Sequence, residues 1–171
     1  IVLLASVLVP LAEMGTRIVS VQGGDKTNAI PREAFATLLL PPEAMADAQI
    51  AVAERTESLR SEYGSLEKGM HVSLVGLEDA PAECLAVESQ DNLLGLLRAL
   101  PHGALKYSHT IPGLVETSNN LASVAPIDGN YLVVCSSRSS IMEALEDIRL
   151  RIASMATMCG ATATRTGTYP G

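Results

Sequence analysis

The sequence predicts an α+β fold, a two-layer sandwich in which helices pack on one face of a ferredoxin-like antiparallel sheet extended by extra elements. Three observations predict this class. Helix-type and strand-type periodicities alternate irregularly along the chain, which disfavours regular βαβ units. Asp128-Gly129 separates two strand-like runs and strongly favours a tight hairpin, so at least one strand pair is antiparallel. The 171 residues, 47% of them hydrophobic, suffice for one domain with its own core.

Two helices are predicted in the first half of the chain. The apolar run Ile1 to Val9 lacks a preceding basic segment and is followed by Pro10, so we interpret it as a buried helix rather than a signal peptide or membrane span. A second helix is predicted over residues 42 to 63, where Pro42 suits the first turn and Gly64 follows as a C-terminal cap. Apolar residues recur every seven positions in this helix, which predicts one buried face and one polar face.

Two further helices are predicted in the second half. Ser89 is a candidate N-cap for a leucine-rich helix that Pro101 ends. Ser140 and Glu143 have the spacing of a capping box, and they precede a final helix that ends at Gly160. The apolar face of this last helix consists of Ile141, Leu145, Ile148, Ile152, Met155 and Cys159.

Strand-like patterns fill much of the remaining chain. Each is an alternating or strongly apolar run bounded by turn residues, as Gly23-Gly24 and Pro41-Pro42 bound the first two. Gly103 is predicted to open a turn. The predicted strands are residues 17–22, 33–40, 70–77, 114–125, 130–138 and 161–168.

Composition excludes several classes of partner. A net charge of -7 with 3% aromatic residues provides neither the basic patch nor the stacking surface that nucleic-acid binding needs. Three widely spaced cysteines without a CxxC pair favour a reduced, cytoplasmic environment. His71, His102 and His109 lack the spacing of metal ligands. The chain begins without Met and ends without a polar tail, so we interpret it as an excised domain of a longer protein.

Five consecutive polar residues, Glu116 to Asn120, interrupt an otherwise apolar predicted strand. A two-residue turn at Asp128-Gly129 would pair Asn120 with Ser137 and Asn119 with Arg138, and a slip of one residue would keep the same neighbourhood. An arginine among hydroxyls and amides is a good receptor for a carboxylate, because its planar fork donates two parallel hydrogen bonds. The residues alone leave two interpretations open, an anion-binding patch or an ordinary ion pair between Arg138 and Glu116.

Five stretches of the sequence match a known family in the family's order and span nearly the whole chain: Val21 to Ala36, Leu100 to Gly103, Ile111 to Leu121, Cys135 to Ser140 and Tyr169 to Gly171. Together they resemble the lid or dimerisation domain of the aminoacyl-histidine dipeptidases. These enzymes, also called Xaa-His dipeptidases or bacterial carnosinases, belong to a large family of zinc-dependent aminopeptidases and carboxypeptidases with an inserted lid. The Asn-Ala-Ile-Pro turn is shared across that larger family, whereas Val-Glu-Thr-Ser-Asn-Asn and the closing Tyr-Pro-Gly are specific to the dipeptidase branch.

The resemblance implies that residues 1–171 form an α+β lid and that the parent polypeptide is an enzyme. The implied chemistry is metal-assisted hydrolysis of Xaa-His dipeptides such as β-alanyl-histidine. In the family two zinc or other divalent ions and the general-base Glu belong to the catalytic domain, so no catalytic residue and no metal are expected in this chain, which should be inactive alone. The implied partners are the dipeptide, the catalytic domain and a second subunit in a cytoplasmic homodimer, with no nucleic acid and no membrane.

The resemblance also implies site residues. Asn28 matches the lid residue that reaches substrate, often in the partner subunit's active site, and Arg138 matches the arginine that clamps the substrate's C-terminal carboxylate. Four residues of the branch-specific run are expected near that clamp: Glu116, Thr117, Ser118 and Asn120. His102 is not expected to be catalytic. Two alternatives remain, a free-standing ferredoxin-like module that binds or senses a small carboxylate through Arg138, and a dimerisation domain without ligand contact.

Overall fold

The computed structural model describes residues 1–79, 81 and 83–167. Within them, four α-helices pack with one five-stranded antiparallel sheet, which confirms the predicted α+β class. The helices are α1 (Val2–Glu13), α2 (Met45–Tyr63, preceded by a 3₁₀ turn Pro42–Ala44), α3 (Val87–Ala99) and α4 (Met142–Met158). The strands are β1 (Arg17–Gly23), β2 (Ala34–Leu39), β3 (Gly103–Tyr107), β4 (Val115–Ile127) and β5 (Asn130–Ser139).

Strand β4 is the centre of the sheet. It pairs with β5 along nearly its whole length, from Thr117 to Ile127. Thr117 also has a partner on β3 and Val124 a partner on β1, so β3 and β1 must share the edge of β4 that β5 leaves open. β1 then pairs with β2, which lies at the outer edge of the sheet. This arrangement brings the ends of β1 and β3 together beside the middle of β4.

The β4–β5 hairpin turns at Asp128-Gly129, as predicted. Both residues have positive φ, 46° and 74°, which is the backbone of the tight hairpin turn that Asp-Gly favours. The register shifts by one between Leu121 and Ser123, so Ala122 forms a β-bulge.

The bulge changes the predicted cross-strand pairs. Asn120 lies opposite Ser136 and Ser118 opposite Arg138. The predicted pairs of Asn120 with Ser137 and Asn119 with Arg138 are therefore wrong by one residue, because the extra residue of the bulge intervenes between the turn and the polar run. Arg138 moves onto the face of β4 that carries Ser118.

The hydrophobic core lies between the helices and one face of the sheet, and it is built almost entirely from aliphatic side chains. Leu97 of α3 and Leu121 and Val124 of β4 are completely buried. Tyr131 of β5 packs at its border, where its hydroxyl oxygen accepts a hydrogen bond from the Val21 N–H at 3.1 Å. The opposite face of the sheet, which turns away from this core, is called the outer face below.

Helix bounds differ from the predictions at their ends. α1 continues through Pro10 to Glu13, and α3 begins at Val87 rather than at Ser89. The predicted capping box is wrong: α4 has no side-chain cap, and the Ser139 hydroxyl instead accepts a hydrogen bond from the Ile141 N–H at 3.1 Å. In the described part of the chain, no helix has the length and apolar character needed to cross a membrane.

Three sequence predictions about strands are wrong. Gly103 begins strand β3 instead of a turn, and residues 70–77 belong to no strand. In the latter segment Met70, Val72 and Leu74 pack against the core while their neighbours are exposed, so one-sided burial produces strand-like alternation without sheet pairing. Residues 161–167 also form no strand, and residue 168 and the Tyr-Pro-Gly motif lie outside the described residues.

Candidate functional site

The alternation of β4 divides the polar run between the two faces of the sheet. Thr117 and Asn119 are buried and share the face of Leu121, which belongs to the core. Ser118 and Asn120 lie on the outer face and are half-buried. The predicted cluster is therefore split, and only its outer half is placed to meet a ligand.

The inner half of the run is satisfied within the protein. The Asn119 side chain, 2% exposed, donates to the Pro101 carbonyl oxygen at 2.6 Å and accepts from the Ser137 hydroxyl at 2.7 Å. The Thr117 and Ser139 hydroxyl oxygens are 2.9 Å apart. These contacts tie β4 to β5 and to the turn before β3, so the inner residues hold the hairpin in place.

Glu116 forms an ion pair with a residue that sequence reasoning did not consider. Its carboxylate lies 2.7 Å from the Lys106 Nζ on β3, and its side chain is 6% exposed. The possibility of an ion pair between Arg138 and Glu116 is thereby overturned, because Lys106 already neutralises the carboxylate. No local signal could have identified Lys106, because β3 itself was not predicted.

Arg138 is exposed on the outer face of β5, directly opposite Ser118. Within the described ranges its guanidinium has no ion-pair partner. Ser136, two residues before Arg138 on β5, lies on the same face and opposite Asn120. A cation beside hydroxyl and amide groups, with no carboxylate to neutralise it, is suited to bind an anion.

Asn28 lies in the exposed turn between β1 and β2, and the structure brings this turn to the polar run. The Asn120 Nδ2 donates hydrogen bonds to the Ala29 carbonyl oxygen at 2.7 Å and to that of Thr27 at 3.4 Å. Asn28, Asn120, Ser118 and Arg138 thus belong to one region, although Asn28 is 90 to 110 residues from the other three in sequence. Four of the six predicted site residues are assembled on this outer face.

The base of the Asn28 loop also depends on close packing. A Cβ atom on Gly24 would lie 2.0 Å from the Ala122 carbonyl oxygen, and Gly24 has a φ of +71°. Only glycine allows this approach to the bulge without displacement of backbone. The β-bulge therefore has two effects. It shifts the register of β4 against β5, and its Ala122 carbonyl packs against the base of the loop that carries Asn28.

His102 is a structural residue. Its Nδ1 accepts a hydrogen bond from the Leu121 N–H at 3.1 Å, in the part of β4 between its pairings with β3 and with β1. Only an unprotonated Nδ1 can accept, and burial lowers the pKa of His102. The ring therefore completes the backbone hydrogen bonding of β4 in its neutral form.

This contact predicts a pH dependence of stability. Because the pKa of His102 is lower in the folded chain than its ordinary value of about 6.5, the unfolded chain binds the proton more readily. The free energy of unfolding should therefore fall as the pH falls below about 6.5, until the folded-state pKa is passed. Urea denaturation between pH 7.5 and 5 measures the decline.

The matched control is His102→Asn, whose Oδ1 atom can occupy the position of Nδ1 and accept the same hydrogen bond without titrating. The variant should lose less stability than the natural chain over the same pH interval. Equal declines for the two proteins would contradict the assigned role of His102.

The described residues do not fit a metal centre. No group of three or more His, Cys, Asp or Glu side chains among them is arranged to hold a metal ion. The outer-face site instead offers the Arg138 guanidinium, the hydroxyls of Ser118 and Ser136, and the Asn28 amide, which are hydrogen-bond donors suited to a carboxylate.

Comparisons with known proteins point to one enzyme class. No family model matches the chain. A cytosol non-specific dipeptidase of Escherichia coli (strain K12) is 32% identical over 159 residues, which cover 93% of this chain and 33% of the dipeptidase. The crystal structure of aminoacylhistidine dipeptidase from Vibrio alginolyticus matches with a TM-score of 0.87 and 30% identity, over 92% of this chain and 32% of that one. The chain thus spans about a third of each relative's length, and its predicted resemblance to this dipeptidase domain is confirmed in sequence and fold.

Proposed function

We propose that this chain, a homologue of one third of a dipeptidase, is the substrate-capping and dimerisation lid of a longer metal-dependent enzyme. The full enzyme hydrolyses Xaa-His dipeptides such as β-alanyl-histidine in the cytoplasm. Its catalytic domain holds two divalent ions, zinc in the simplest case, and this chain holds none. The observation that best supports the proposal is the exposed Arg138 guanidinium, which has no carboxylate partner in the described chain and lies beside Ser118 and near the Asn28 turn.

In this proposal the lid recognises the substrate's C-terminal end. Arg138 binds the terminal carboxylate with its two parallel N–H groups, and the hydroxyls of Ser118 and Ser136 surround that contact. Asn28 reaches the substrate from its exposed turn, in the same or the partner subunit's active site. Closure of the lid excludes water and holds the dipeptide in place, while the bound ions supply the activated water for hydrolysis.

Two of the predicted substrate contacts act indirectly in this proposal. Glu116 is occupied by Lys106, and Thr117 is buried beside Ser139. We assign them to the support of β4 next to the clamp, because the ion-paired Glu116 has no hydrogen to donate to a carboxylate ligand, and the buried Thr117 cannot be reached from the outer face. The direct contacts are then Asn28, Arg138 and Ser118.

The test is hydrolysis by the complete, zinc-loaded polypeptide. It should cleave β-alanyl-histidine and α-linked Xaa-His dipeptides, and it should cleave β-alanyl-histidinamide much more slowly because the amide lacks the carboxylate that Arg138 binds. Equal rates for the dipeptide and its amide would contradict the clamp. No turnover of any Xaa-His dipeptide would contradict the enzyme assignment, and tight binding of histidine to the 171-residue chain by calorimetry would then favour the small-carboxylate module.

A further inference from the structure

We infer that Asn120 is a positioning residue, which holds the turn that carries Asn28 and so fixes Asn28 relative to Arg138. This inference rests on the proposed function, in which Asn28 and Arg138 contact the substrate. It assigns Asn120 a role different from the substrate contact that its place in the polar run predicts.

The side chain of Asn120 binds the backbone of the turn that carries Asn28. Its Nδ2 has two hydrogens, and they point to the carbonyl oxygens of Ala29 and Thr27, the residues on either side of Asn28. Both donors are thus used on backbone, and neither is left for a ligand. The geometry fixes the turn while the Asn28 side chain stays exposed.

The remaining polar atom of Asn120 is shielded. Its Oδ1 is buried and has no hydrogen-bond donor among the described residues. An atom without contact to solvent cannot meet a substrate that enters from solvent. The amide nitrogen of Asn120 therefore contacts the backbone of the loop, and its amide oxygen is shielded from solvent.

Among the described residues, few other contacts hold the tip of this loop. Residues 24–30 are all exposed, and the backbone hydrogen bond within the turn, from the Ala29 N–H to the Lys26 carbonyl oxygen, is long at 3.5 Å. The close approach of Gly24 to Ala122 fixes only the base of the loop. Asn120 is accordingly the side chain that holds the tip against β4.

The same strand connects Asn120 to the clamp. Asn120 is two residues from Ser118 on the outer face, and Ser118 lies opposite Arg138. β4 therefore sets the distance between the Asn28 turn and the Arg138 guanidinium. If Asn120 is lost, Asn28 loses its fixed position while Arg138 keeps its own.

A double-mutant cycle in the complete, zinc-loaded enzyme tests the inference with β-alanyl-histidine as substrate. Asn28→Ala and Asn120→Ala should each lower kcat/KM by about 10- to 100-fold, the size of effect that misplacement of a substrate contact produces. The double variant should be no worse than Asn28→Ala, because Asn120 acts through Asn28. Limited cleavage by trypsin after Lys26, in the loop that Asn120 holds, should become faster in Asn120→Ala, whereas cleavage after Arg60 within α2 should stay unchanged.

A matched control is Asn130→Ala at the hairpin, where the side-chain amide donates to the nearby Asp128 carbonyl oxygen at 3.3 Å. It should leave kcat/KM and the rate of cleavage after Lys26 unchanged. Additive losses in the double variant would overturn the inference, because they would show an independent contact of Asn120 with substrate. Unchanged kcat/KM in Asn120→Ala, or an unchanged rate of cleavage after Lys26, would overturn it as well.

The cycle also separates this inference from the proposed function. If Asn28→Ala and Arg138→Ala lower kcat/KM while Asn120→Ala does not, the proposed site stands and the inference alone fails. If Asn28→Ala has no effect, the substrate role of Asn28 fails and the inference fails with it. A loss of thermal stability in Asn120→Ala without any change in kcat/KM would reduce Asn120 to a purely structural residue.

Discussion

If the proposed function is correct, replacement of Arg138 by Ala in the complete, zinc-loaded polypeptide should lower kcat/KM for β-alanyl-histidine by about 30- to 900-fold, on the order of 2 to 4 kcal/mol. The loss has two sources. The substrate's carboxylate loses a bidentate charge-assisted contact, and it remains unpaired in a closed site from which water has been removed. Steady-state kinetics of the purified variant measure the effect.

Arg138→Lys is the informative second variant, because it keeps the charge and removes the planar fork. Its kcat/KM should lie between those of the natural enzyme and Arg138→Ala. Arg60→Ala serves as a control on α2, where the exposed guanidinium makes a long contact of 3.9 Å with Glu57. This control should leave kcat/KM unchanged.

Stability distinguishes binding from folding in this series. Arg138 is exposed and has no ion pair in the described ranges, so its replacement should change the free energy of unfolding by no more than about 0.5 kcal/mol. A variant that retains the stability and the kinetics of the natural enzyme would show that Arg138 does not bind substrate. The family resemblance would survive that result, and the assignment of the clamp would not.

The features that the sequence could predict are those encoded locally. Asp128-Gly129 specifies the hairpin by the backbone conformations those two residues favour, and the periodicity of residues 42 to 63 specifies a helix with one buried face. The hairpin alone places Arg138 among the polar residues of β4. The single error there came from the bulge at Ala122, which no turn rule anticipates.

Features that depend on distant contacts could not be read from a local pattern. β3 consists mostly of exposed residues, so it lacks the alternation that marks a half-buried strand. The hydrogen bonds from Asn120 to the Asn28 turn join residues 91 and 93 positions apart. The division of the polar run between the core-facing and the outer face likewise depends on how β4 pairs with β3 and β5. The structure brings four of the residues that the family resemblance predicts into one region, and their contact with substrate stays a prediction.

The second large effect is expected at Gln90, a side chain 3% exposed that links α3 to the start of β1. Its Oε1 accepts a hydrogen bond from the Ile18 N–H at 2.7 Å, and its Nε2 donates to the Thr16 carbonyl oxygen at 3.1 Å. Gln90→Leu keeps a similar volume but leaves both buried backbone groups without these partners. The free energy of unfolding should fall by about 2 to 4 kcal/mol, as measured by urea denaturation of the 171-residue chain.

Gln49→Leu on the exposed surface of α2 is the matched control, and it should change stability by no more than about 0.5 kcal/mol. An equally small effect of Gln90→Leu would mean that water or rearranged backbone satisfies the two orphaned groups. Gln90 binds the backbone at the start of β1, whereas the Asn28 loop follows Gly23 at the other end of this strand. In the complete enzyme Gln90→Leu should therefore reduce the folded fraction while kcat/KM of the folded molecules is retained, which is the opposite of the pattern expected for Arg138→Ala.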